Sequence, residues 1–191
     1  RVVVFDILFT DEGARPEADR EFAAAIRTNG RVVLAGELEI RPGQATLHLP
    51  YAPFRDEVAA WGLAQIDPGT DFAVREHLAS VAGNPTLSWA TARWLGVRLP
   101  PAADADKGRL GVNYYAPPGS LPWVSYHAAL LPEGVSAGFF KNQVVFVGAH
   151  QSTGFTGAKK DDFGTAYTRL TQAFAPGTEI HATMLLNLLR G

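Results

Sequence analysis

The feature that most constrains this chain is a strand–helix–strand unit within its first 35 residues. Val2-Val3-Val4-Phe5 is apolar and mostly β-branched, the composition of a strand buried on both faces. A loop with Asp11, Glu12, Gly13 and Pro16 follows. The spacing then predicts a helix over residues 20–28, with Phe22, Ala23 and Ile26 on one face and Asp19 as its N-cap. Asn29-Gly30 stops that helix, and residues 31–35 form a second apolar strand. So short a crossover makes the two strands parallel neighbours. A third buried strand is expected at residues 144–147, ending at Gly148, and helices at 87–95 and 179–189. The fold class is therefore α/β: a single layered domain over residues 1–191, with a mostly parallel central sheet flanked by helices.

The remaining pattern is weaker. Residues 37–49 alternate like an edge hairpin around Arg41-Pro42-Gly43. Residues 62–66 and 73–77 are expected to pair as a second hairpin around Asp67-Pro68-Gly69-Thr70-Asp71. A loop is expected at 100–107, a short helix after Ser125, and a further helix within 164–173.

Composition excludes several classes. Hydrophobic residues make up 47% and charged residues 19%, which suits a domain with a sizeable core. A formal net charge of −2 and the lack of a Lys/Arg cluster argue against a nucleic-acid surface. There are no cysteines, so a disulfide framework, a thiolate metal site and a Cys nucleophile are all excluded. No run approaches the 18 or so apolar residues of a membrane span. The chain opens on a core strand and closes on a helix, so it is expected to be an excised segment of a larger protein.

In open α/β sheets, ligands bind at the carboxyl ends of the strands. Asp6 and Gly148 each follow a buried strand and are the first candidates, Asp6 serving either as a ligand group or as a local backbone cap. Gly148-Ala149-His150-Gln151-Ser152-Thr153-Gly154 resembles a small-residue anion loop, which makes His150 a candidate, but it lacks both the P-loop ending and the dinucleotide fingerprint. Asp161 and Asp162 are the one place where residue types allow a divalent cation. No other cofactor is expected. Glu179 and His181 open the last helix, where the helix dipole favours a carboxylate. Asp67, Asp71 and Arg75 either anchor a charged ligand or form a turn held by an ion pair.

Three functional classes remain open on these residues. One is a non-catalytic sensory module. The second is a small metal-dependent hydrolase or phosphatase using Asp6 with Asp161 and Asp162. The third is an interaction domain that only dimerises. Serine hydrolysis finds no support: no Gly-x-Ser-x-Gly elbow is present, and His127 stands only two residues from Ser125, facing away on a helix.

Four stretches resemble the CHASE2 family of extracytoplasmic sensor domains. Residues Val2 to Phe9 are similar to its strand ending in Phe-Asp and an apolar triplet. Gly62 to Arg75, with Asp67, Asp71 and Arg75, is similar to its Gly–Asp–Arg turn, although the usual Asp-Gly before the Arg is altered. Asn113-Tyr114 and Val124-Ser125-Tyr126 resemble a strand and the Ser-containing segment after it. Phe140 to Ala149, with Pro176-Gly177-Thr178-Glu179-Ile180-His181-Ala182, resembles the closing signature. The stretch between Gly157 and Pro176 is longer than usual, and the chain begins after the family's first strand and helix. The resemblance implies a bacterial membrane receptor. The domain would follow one transmembrane helix and precede several more, and would drive a nucleotide cyclase, histidine kinase or Ser/Thr kinase. It also implies an unidentified small-molecule or protein stimulus, a homodimeric receptor, and a location on the extracytoplasmic side of the membrane.

Overall fold

The computed structural model describes residues 1–100, 108–149 and 161–191. The opening unit folds as expected. Strand β1 (Val2–Leu8) leads through helix α1 (Pro16–Asn29) to β2 (Val32–Arg41), and β1 and β2 are parallel, with Val3 to Phe5 opposite Val32 to Leu34. A hairpin follows, with β3 (Gln44–His48) antiparallel to the second half of β2 and Arg41 opposite Gln44. The one-turn helix α2 (Ala52–Arg55) precedes β4 (Ala60–Leu63), which lies parallel to the first half of β2.

Three short strands follow, β5 (Glu76–Leu78), β6 (Ser80–Val81) and β7 (Asn84–Pro85), and then helix α3 (Leu87–Trp94). Beyond it come β8 (Arg109–Gly111), α4 (Tyr126–Leu130) and β9 (Val144–Gly148). The chain finishes with β10 (Asp162–Phe163), α5 (Thr168–Thr171), β11 (Ala175–Pro176) and the long helix α6 (Gly177–Arg190). Strand β9 pairs in parallel with the far side of β1, so the parallel core of the sheet runs β9, β1, β2, β4.

The period of two in the strands sorts side chains onto two faces. Val32 and Leu34 point to one face with Phe5 and meet Ile26 of α1 and Phe54 of α2. Rings of Phe5, Phe9, Phe22 and Phe54 stack edge-on there, with centroids 5.1–6.0 Å apart. Val2, Val4, Val33 and Ala35 point the other way, with Val144 and Phe146, onto Leu87 of α3. Leu185 and Leu188 of α6 close this second layer against Trp89 and Ala92. The architecture is therefore α/β, a mostly parallel sheet between helices, as the sequence pattern predicts.

Two local expectations are corrected. Asp19 is not the N-cap of α1, because the helix starts three residues earlier at Pro16, whose fixed φ suits a first turn. The Asp19 carboxylate instead accepts the Gly13 N–H at 2.7 Å, fastening the preceding loop. Nor do residues 62–66 pair with 73–77. Gly62 belongs to β4, inside the central sheet, while the later segment turns away: Val74 N–H donates to Gly164, Val112 N–H donates to Arg75, and β5 pairs with β8. The expected helix within 164–173 shrinks to the single turn α5. The expected loop at 100–107 lies, beyond Pro100, outside the described residues.

Helix α3 sits directly on β4. A Cβ at Gly62 would stand 2.7 Å from the Thr86 carbonyl oxygen and 2.8 Å from Leu87 Cα, both backbone atoms that cannot yield. Gly62→Ala is expected to cost about 2 kcal/mol in urea unfolding, as overpacking does in a filled core; an unchanged midpoint would show that α3 is free to move.

His77 is buried at 3% exposure beside the Trp89 indole, and neither of its ring nitrogens has a partner. Burial pushes its pKa down to about 4. The folded state therefore keeps it neutral while the unfolded chain takes up a proton below about 6.5. Stability is fully present above that pH and falls as pH drops toward 4. The displacement corresponds to the order of 3 kcal/mol. Urea unfolding at pH 7.5 and 4.5 is expected to show a loss of about 2 kcal/mol or more, and a smaller loss in His77→Leu; equal losses in both proteins would contradict the assignment.

Candidate functional site

Strands β1 and β9 run in register as far as the carboxyl end of β9, where Asp6 stands opposite Gly148. The first turn of α6 crosses these ends. Thr178 Oγ1–H donates to Asp6 Oδ2 at 2.9 Å, and the Gly177 N–H donates to the Asp161 carbonyl at 2.9 Å. The approach is close enough to require glycine at 148: a Cβ there would collide with the Thr178 hydroxyl and stand 3.2 Å from Asp6 Cβ. Since φ at Gly148 is not positive, the requirement is one of space and not of backbone conformation.

His181 lies one turn further along α6 and is 1% exposed. Its Nε2 is 3.2 Å from the Ala64 carbonyl and 3.8 Å from Asp6 Oδ1. Burial lowers its pKa, against the opposing pull of the Asp6 carboxylate and the Ala64 carbonyl. The ring is therefore neutral with its proton on Nε2, where Ala64 accepts it. That tautomer leaves Nδ1 as a buried acceptor with no partner.

These groups surround a cavity of about 280 Å³ at the carboxyl end of the sheet. Asp6, Glu37, Asp161, Thr178 and His181 form its polar walls, with Leu8, Ala64, Ile66 and Phe163 as apolar ones. A second cavity of about 230 Å³ shares Leu8, Glu37, Ala64 and Ile66 with it and adds Gln65. Gln65 donates to the Leu38 carbonyl at 2.7 Å, which leaves its Oε1 buried without a partner.

The structure gathers some of the sequence candidates and separates others. Asp6, Asp161 and His181 line the cleft, and Gly148 stands opposite Asp6 on β9 without lining it. Asp162 belongs to β10 and pairs with Pro176, outside the lining. Both Glu179 carboxylate oxygens lie 3.0 Å from the Gly119 N–H, which ties α6 to the loop before α4. Arg75 donates twice to Asp71, at 2.8 and 2.6 Å, and holds that carboxyl well below its usual range. Asp67 pairs with Arg109 at 3.0 Å. Asp67, Arg75 and Glu179 are thus engaged in structural contacts and do not reach the cleft. His150 and the rest of the loop to residue 160 lie outside the described residues.

Sequence reasoning missed Glu37, Gln65 and Thr178. Gln65 lies two residues beyond β4, so the rule that placed Asp6 at a strand end applies to it as well, whereas Glu37 lies inside β2, one residue past its last pairing with β4. Among the described residues, no group of three His, Cys, Asp or Glu side chains is placed to hold a metal ion. No helix among them is long and apolar enough to cross a membrane.

With that geometry in hand, comparison with known families gives a clear result: the family model for the CHASE2 domain matches residues 1–191, the whole chain. The chain belongs to the CHASE2 family. No curated protein and no solved structure matches it. CHASE2 domains are extracytoplasmic sensory modules and not catalysts.

Gly148→Ala forces α6 away from the strand ends. It is expected to destabilise this CHASE2 domain by about 1–3 kcal/mol, with the Thr178 to Asp6 hydrogen bond lost. A denaturation midpoint equal to that of the parent would contradict the close approach.

Proposed function

We propose that this CHASE2 domain receives the stimulus of a bacterial membrane receptor and passes it to a cytoplasmic output module through α6. The output would be a nucleotide cyclase, a histidine kinase or a Ser/Thr kinase. The domain would lie on the extracytoplasmic side, joined to transmembrane helices of its parent. Family membership supports the sensory role.

The observation that carries the transmission route is the placement of α6. Its first turn, Gly177 to His181, forms a wall of the cleft, and its body packs along α3 and β9. Its 14 residues extend about 21 Å from the cleft. A ligand that contacts the first turn would favour one seating of the whole helix over another, and shifts of 1–2 Å are the ordinary currency of such switches. Asp6, Asp161 and His181 are then the residues through which the cleft senses its occupant.

A specific observation also favours protein contact. Helix α4 buries none of its residues, and Trp123, Tyr126, Leu130 and Leu131 near it are 48–67% exposed. That surface suits a homodimer in the parent receptor.

The test is made in the intact receptor. One alanine inserted between Leu189 and Arg190 rotates whatever follows by about 100° and leaves the cleft untouched. Basal output is expected to change several-fold while the domain's melting temperature stays constant. Unaltered basal and stimulated output would remove α6 as the route.

A further inference from the structure

We propose that the cleft takes a small organic cation bearing several N–H donors, an ammonium or guanidinium compound of about amino-acid size. The inference rests on the sensory reading above and adds the ligand's chemistry.

Among the described residues, the charged side chains that line the cleft are all acceptors. Asp6, Glu37 and Asp161 contribute three carboxylates, and no Lys or Arg lines either cavity among the described residues. Among the described residues, neither the Glu37 nor the Asp161 side chain has a partner. The Thr178 hydroxyl hydrogen is already given to Asp6.

Two further acceptors are buried and unsatisfied: His181 Nδ1, on a side chain only 1% exposed, and Gln65 Oε1. Buried acceptors in native proteins are ordinarily paired, and among the described residues these two have no donor. The amino end of α6 pulls the other way, toward an anion, but a helix terminus carries only about half an elementary charge, against three carboxylates.

A metal ion fits less well, since no three ligating side chains are placed around one point among the described residues. The volume sets the size. About 280 Å³ lies just below the range of roughly 300–1,000 Å³ that holds drug-sized ligands. The adjoining cavity, with Glu37 shared between the two, gives a second donor group somewhere to bind.

Calorimetric titration of the 191-residue chain tests this with 1,4-diaminobutane and 4-guanidinobutylamine, against succinate, 1,4-butanediol, Mg²⁺ and Ca²⁺. Saturable binding of at least one organic cation is expected, weakened tenfold or more by Glu37→Gln and by Asp161→Asn at unchanged melting temperature. The dianion and the diol are expected to give none. Tighter binding of succinate, of the diol or of a divalent metal would overturn the proposal, as would cation binding indifferent to both substitutions. Ala149→Trp, at the exposed rim, separates the two levels of the claim. If it abolishes binding of a probe from the wrong class, the cleft stands and only the ligand chemistry falls. If no probe binds, or none responds to Ala149→Trp, both fall together.

Discussion

The hydrogen bond from Thr178 to Asp6 joins residues 172 positions apart, and the arrangement of the carboxyl end of the sheet depends on it. Asp6 is the last residue of β1 to pair with β9, and β1 lies between its parallel neighbours β2 and β9. Thr178 opens the helix that completes the second layer. Their contact fixes where α6 begins, and therefore where Ile180, Met184, Leu185 and Leu188 meet the core. Gly148 allows this by contributing no side chain where the two elements cross. The cleft is what remains between a helix held at its first turn and strand ends of unequal length.

The same contact explains why the cleft is suited to sensing. Its wall is built from the two ends of the chain, so an occupant that touches Asp6 and His181 bears on both β1 and α6. His181 reinforces this by donating to Ala64 from the helix while Asp6 lies 3.8 Å from the same nitrogen. A neutral, buried imidazole with one nitrogen spent and one free is a group whose environment changes when the cleft fills.

Much of the layered core was legible in the sequence, because its signals are local. β-Branched runs at Val2–Phe5 and Val144–Val147, the Asn29-Gly30 stop and the helical spacing of Ile180, Met184, Leu185 and Leu188 each fix an element without reference to any other. Pairing over distance was not legible where local patterns compete. Residues 73–77 look like half of a hairpin, yet Gly62 has its better partner in β2, because only there can its bare backbone meet α3. The cleft was half visible. Asp6 and His181 stand at strand and helix ends that the sequence marks, and Asp161 in a polar loop that it marks, whereas Glu37 becomes a cleft residue only because the parallel pairing of β2 with β4 ends at Gly36, one residue before it. Glu179, Asp67 and Arg75 carried the same kind of signal and proved to be fastened to Gly119, Arg109 and Asp71.

That the carboxyl end of β1 fastens the first turn of α6 is the claim on which the sensory account rests. A double-mutant cycle on Asp6→Ala and Thr178→Val, read by urea unfolding, measures it most directly, since it isolates the pairwise term from the cost of each change alone. The account predicts a coupling of about 0.5 kcal/mol or more between the two sites. Strict additivity would contradict it, and would mean that α6 is seated by its apolar face alone.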